Sequence, residues 1–152
     1  SRGLGDVYKR QINSRLDSIQ AAILNVKLKY LDEWNEKRRK NAFLYNKFLR
    51  DIDSVITPFE LENTKPVYHL YVIQVENRDK IREKLSEKGI ATGIHYPYAL
   101  HLLPAYQYLE LKEGSFPEAE RCANRFLSLP MYPELTDDEV GYVIENVWAF
   151  FK

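Results

Sequence analysis

Two short stretches hold most of the side chains that could bind or react, "NSR" at residues 13–15 and "HYPYALH" at residues 95–101. An asparagine and an arginine at a helix start can hold a phosphate, because free backbone N–H groups and the positive end of the helix dipole lie there. The same pair has a plainer use, with Asn13 as a helix cap and Arg15 in water. The second stretch gathers His95, Tyr96 and His101 with no full charge among them. These groups read either as the polar tips of a strand end facing water or as the rim of a pocket.

The third histidine, His69, raises the question of a metal. His95 and His101 lie six residues apart across a proline. The acids between residues 77 and 110 are Asp79, Glu83, Glu87 and Glu110, three of them on a predicted helix. That is not the clustered ligand set of a zinc or iron centre, so no metal is expected. Cys122, in "AERCANRF", falls mid-helix, where cysteine acts as a small hydrophobe rather than a nucleophile. Neither G-x-G-x-x-G nor G-x-x-x-x-G-K occurs, and the aromatic signature of an RNA-binding sheet is missing.

Both stretches need elements to hold them. Leu16, Ile19, Ile23, Val26, Tyr30 and Trp34 recur at steps of three and four, and Ala42, Tyr45, Leu49 and Ile52 resume the stripe. With no Gly or Pro in residues 13–52, the pattern predicts one long helix, capped by Asn13 or Ser14. Its polar middle, "EWNEKRRKN", separates two apolar patches, as in a helix that bridges two bodies. "VYHLYVIQV" at 67–75 is apolar on both faces and predicts a central strand. "RDKIREKLSEKG" predicts a helix with Ile81 and Leu85 inward and Gly89 as its stop. "IATGIHY" at 90–96 reads as a strand that delivers His95 and Tyr96 to a loop whose turn Pro97 fixes.

Ser115 and Pro117 open a helix that runs to about Arg125, and "FLSLPMYP" supplies a short strand. Thr136 and Glu139 form a capping-box pair for a last helix that buries Val140, Val143, Ile144, Val147, Trp148 and Phe151. A further short strand is placed near "SVITP" at 54–58. The order predicts an α/β domain, α+β-like, with a long N-terminal helix and a small, largely antiparallel sheet covered by helices.

Bulk composition agrees. The chain's 152 residues suit one domain, and 45% hydrophobic residues allow a packed core. Lys+Arg and Asp+Glu both number 22, which gives no pull toward nucleic acid or anionic membrane. One cysteine, no apolar run of membrane-spanning length and no visible signal peptide predict a soluble protein of the reducing cytoplasm.

"NSRLDSIQAAILNVKLKYLDEWNEKRRKNAFLYN", "VYHLYVI", "GIATGIHYPYALHLLPAY" and "FPEAERCANRFLSLPMYPELTDDEV", in that order, resemble the C-terminal part of the DegT/StrS nucleotide-sugar aminotransferases, which are fold-type-I enzymes. The resemblance covers residues 12–150. It implies transfer of an amino group, usually from glutamate, to a nucleotide-linked keto-sugar in amino-sugar or surface-polysaccharide biosynthesis. It also implies a homodimer and pyridoxal 5'-phosphate, bound mainly by a larger N-terminal domain that carries the Schiff-base lysine. With that implication this chain is a C-terminal fragment with no catalytic residue of its own, inactive alone.

The resemblance also assigns roles. Asn13 matches the Asn of a G-x-N-x-R pattern that reaches the partner subunit's cofactor phosphate, and Arg15 matches its Arg near the shared active site. His95 and Tyr96 match a loop that lines the sugar side of the pocket, His101 is the motif's next histidine, and His69 is structural. The form "HYPYALH" is more similar to members that aminate the sugar at C3. Gln11 stands where the pattern has Gly, and "DVYKRQ" resembles a junction at the end of an assembled fragment. Residues 1–11 are therefore expected to be non-native, 12–52 a bridging helix and 53–152 the small domain. The competing expectation is a non-catalytic ligand-binding or regulatory module of the same fold.

Overall fold

The computed structural model describes residues 16–152. Residues 1–15, with Asn13, Ser14 and Arg15 among them, lie outside the described residues. The chain divides into two units, one ending at Asp32 and the other Glu33–Lys152.

The predicted long helix is two. Helix α1 spans Ser18–Leu28 and helix α2 Leu31–Leu49. Asp17 caps α1, accepting from the Gln20 N–H at 2.8 Å. At Lys29 and Tyr30 the backbone tightens to bonds onto Val26 and Lys27, three residues back, before α2 starts. Such a tightened last turn ends a helix without a Gly or Pro to mark the place in the sequence. No residue of α1 is buried.

Within the second unit, β1 (Val55–Ile56), β2 (Tyr71–Val75) and β3 (Phe126–Leu129) form an antiparallel sheet in the order β1-β2-β3. The central position predicted for "VYHLYVIQV" holds, but the strand starts only at Tyr71. Tyr68 takes a φ of 49°, in the left-handed region, which is incompatible with extended backbone at that point. Tyr71, Ile73 and Val75 alternate into the core, and Leu127 and Leu129 of β3 are buried with them.

Helix α2 adds Ala42, Tyr45 and Leu49 to this cluster, and α3 (Arg78–Glu87) adds Ile81 and Leu85. Helix α5 (Asp137–Phe151) adds Val140, Val143, Ile144 and Val147, with Trp148 and Phe151 packed at its margin. Full burial of each such aliphatic side chain contributes about 1.5–3 kcal/mol. The Tyr45 and Tyr71 rings stack at 4.7 Å, and their hydroxyls donate to the Pro130 carbonyl and to Asn46. Burial pushes both phenols well above the usual tyrosine range. The capping box forms as predicted, with Thr136 Oγ1 accepting from the Glu139 N–H and Glu139 accepting from the Thr136 N–H. No helix of the described residues is long and apolar enough to cross a membrane.

Candidate functional site

Helix α3 sets the approach to the histidine loop. Gly89, at φ 74°, ends it, with its N–H on Ser86 and the Ile90 N–H on Leu85. This pair of bonds turns the chain sharply and drops Ile90 into the core. The predicted strand at 90–96 is reduced to one antiparallel bridge, Gly93 with Ser128 of β3. Gly93 and Ser128 exchange both backbone bonds, at 3.0 and 2.8 Å. On one side the register next sets Ala91 opposite Pro130, which has no N–H to donate, and on the other the His95 ring folds back over Gly93. A Cβ on Gly93 would lie 2.6 Å from the ring's Cε1.

His95 is half-buried, and its Nδ1 lies 2.9 Å from Ser128 Oγ. Ser128 alternates with Leu127 and Leu129, so its hydroxyl leaves the opposite face of the sheet from theirs. Tyr96 meets the His95 ring edge-on at 5.7 Å and remains 74% exposed. Tyr98 is exposed too. This end of the loop therefore offers an anchored imidazole and two open phenol rings, all neutral hydrogen-bonding groups with aromatic faces.

His101 has a different setting. It is buried in a short 3-10 turn, Leu100–Leu102, with Nε2 2.9 Å from Glu120 Oε1. Glu120, on α4 (Pro117–Arg125), also accepts from the N–H groups of Gly114 at 2.9 Å and Phe116 at 3.3 Å. The Phe116 ring packs edge-on to the imidazole at 4.9 Å. The Gly114 N–H is the largest influence on the Glu120 carboxyl, and with the Phe116 N–H and the His101 ring it holds the group below the usual carboxylate range against the opposing effect of burial. Gly114 reaches this carboxylate at φ 86°, a conformation suited to glycine. The structure therefore uses His101 to tie the loop to α4, and its imidazole is not open to a ligand.

The other candidates separate. His69 is exposed, and Cys122 is a free, half-buried cysteine on α4. Among the described residues no group of three or more His, Cys, Asp or Glu could hold a metal. A groove of about 590 Å³ between Gly89–Ala91 and the segment from Pro130 to Val143 has none of His95, Tyr96 or His101 in its lining. Sequence reasoning missed Ser128 and Glu120. Ser128 carried a signal, as a lone hydroxyl between two leucines of an apolar strand. Glu120 carried none, because an acid in the first turn of a helix is ordinary.

A small antiparallel sheet under helices, with a neutral histidine–tyrosine loop at its edge, defines an α/β domain of the kind found in fold-type-I aminotransferases. Residues 5–148 match the model of the DegT/DnrJ/EryC1/StrS aminotransferase family, and the chain belongs to that family. It is 46% identical over 142 residues to the "Pleiotropic regulatory protein" of Geobacillus stearothermophilus, covering 92% of this chain and 38% of that protein. It is 42% identical over 139 residues to the dTDP-3-amino-3,4,6-trideoxy-alpha-D-glucose transaminase of Streptomyces venezuelae, covering 90% and 37%. Among solved structures, S. venezuelae DesV in complex with a ketimine intermediate is similar with a TM-score of 0.89 and 38% identity, over 100% of this chain and 41% of that one. The chain thus spans well under half the length of these relatives.

Proposed function

We propose that this chain is the sugar-facing, C-terminal part of a pyridoxal-phosphate aminotransferase that moves an amino group, from glutamate, onto a nucleotide-linked keto-sugar. The observation that carries the reading is the anchored, uncharged loop of His95 and Tyr96 in a chain matched to this family nearly end to end. In the proposal His95 and Tyr96 line the sugar side of the site, while His101 holds the loop in place. Asn13 and Arg15 meet the phosphate of the cofactor in the partner subunit of a homodimer. The enzyme acts in the cytoplasm, in the making of amino sugars for surface polysaccharides or related products. The similarity to a transaminase acting on a dTDP-3-amino sugar favours amination at C3.

A pyridoxal phosphate site needs a lysine amine, an acid for the ring nitrogen and a phosphate cradle. The described groups around His95 are Ser128, Gly93 and Tyr96, and they do not compose such a site. Lys37 and Lys84 are exposed and ion-paired with Glu33 and Glu87, which raises their pKa values. A Schiff-base lysine needs the opposite shift. The proposal therefore assigns the cofactor's main contacts, and that lysine, to residues other than these. When bound, the cofactor would act as the electron sink of the reaction.

A second reading has one observation behind it: the similar protein from Geobacillus stearothermophilus is named as a regulator. In that case the domain binds a nucleotide sugar without chemistry. Incubating the full-length protein with pyridoxal phosphate, glutamate and dTDP-linked 3-keto-sugars separates the two. An aminated sugar nucleotide is expected, together with no Schiff-base absorption band for the 152-residue chain alone. Sugar binding without turnover would favour the regulator.

A further inference from the structure

We propose that Ser128 is a positioning residue for His95, fixing its imidazole as the Nε2–H tautomer so that Nε2 donates to an uncharged oxygen of the ligand. The inference rests on the proposal that His95 faces the sugar, and it adds the direction of that hydrogen bond.

Ser128 is buried, and its backbone N–H and carbonyl are both taken by Gly93. Its hydroxyl pairs with His95 Nδ1 at 2.9 Å. A hydroxyl can donate or accept, whereas a neutral imidazole has one N–H and one bare nitrogen. Were Nδ1 to carry the proton, Ser128 would accept, and its own O–H would be left in the sheet without an acceptor among the described residues. An unmade hydrogen bond from a buried donor is the costlier arrangement. The favoured arrangement has Ser128 donating to a bare Nδ1, which leaves the proton on Nε2. That nitrogen makes no hydrogen bond to the described residues.

Gly93 supplies the second half of the device. The ring can lie against Ser128 only because Gly93 lacks a side chain, since a Cβ there would come within 2.6 Å of Cε1. The clash would be with a ring held by its own hydrogen bond, not with a free chain end. Gly93→Ala therefore acts on His95 without touching any hydrogen-bonding group.

Long-range proton–nitrogen correlation spectra of the 152-residue chain, recorded where histidine is neutral, read the tautomer directly. His95 is expected as the Nε2–H form, with Nδ1 giving the signal of a bare nitrogen. Ser128→Ala should lower the tautomer ratio roughly tenfold or less, in line with the loss of one hydrogen bond. Ser128→Thr, which keeps the hydroxyl, should restore it, and Gly93→Ala should shift the ring signals of His95 while those of His69 stay put. The Nδ1–H form in the unaltered chain overturns the proposal, whether or not any variant folds. So does an unchanged ratio in Ser128→Ala. Because no turnover is measured, these outcomes are independent of whether the full-length protein is a transaminase.

Discussion

His95 and His101 belong to one loop, yet the structure holds them in opposite ways. His95 is pinned through one nitrogen to a serine of the sheet, and its other nitrogen makes no hydrogen bond to the described residues; the exposed Tyr96 lies beside it. His101 is buried against Phe116 and bonded to a carboxylate that already gathers two backbone N–H groups. The same residue type thus serves presentation at one end of the loop and anchorage at the other. The difference lies in partners far along the chain, Ser128 and Glu120, and not in the local sequence.

The comparison is broken most strongly at the anchored end. His101→Ala should cost about 1–3 kcal/mol of unfolding free energy, because a buried hydrogen bond and a ring contact are lost together. His95→Ala removes the partner of the buried Ser128 hydroxyl, but water can enter this half-buried site to replace it, so the cost should be about 1 kcal/mol, the low end of that range. Denaturant titrations of both variants check this, and equal losses would erase the distinction.

Acid sharpens it. The folded loop holds the Glu120 carboxyl below its unfolded pKa, so this carboxylate stabilises the loop above the ordinary value of about 4.3. That contribution is lost as the pH falls below that value and through the depressed one. Exchange protection of the Gly114 and Phe116 amides should fall in that window before that of Ile73 in β2. Protection that falls equally at all three sites would count against a separate Glu120 anchor.

The smallest effect on stability is expected on α1. Ile19, Ile23 and Val26 are exposed there. Ile23→Ser should change unfolding free energy by less than about 0.5 kcal/mol while weakening self-association of the chain. Sedimentation at several concentrations checks this; unchanged association would show that this face is not the contact.

Much of the framework was legible from the sequence. Local signals located the capping box of Thr136 and Glu139, the stop at Gly89, the proline start of α4 and the central place of β2. The misses arose where a distant or subtle contact decided. The apolar stripe through Tyr30 shows no break, yet α1 ends at Leu28 by a tightened turn. "IATGIHY" has strand-forming residues, but Ala91 falls opposite Pro130, the His95 ring occupies the space over Gly93, and pairing ends after one bridge. At the site, His95 and Tyr96 were readable as residue types with neutral polar chemistry. The burial of His101 was not, because Glu120 finds it only in the folded chain.

The division of labour in the loop is tested most directly by kinetics of the full-length protein with glutamate and a dTDP-linked 3-keto-sugar. His95→Ala should lower kcat/KM about tenfold, through KM, as expected for one lost neutral hydrogen bond to the sugar. His101→Ala, assayed well below its melting temperature, should retain more of kcat/KM than His95→Ala. An unchanged kcat/KM in His95→Ala, with activity lost instead in a folded His101→Ala, would contradict the assignment.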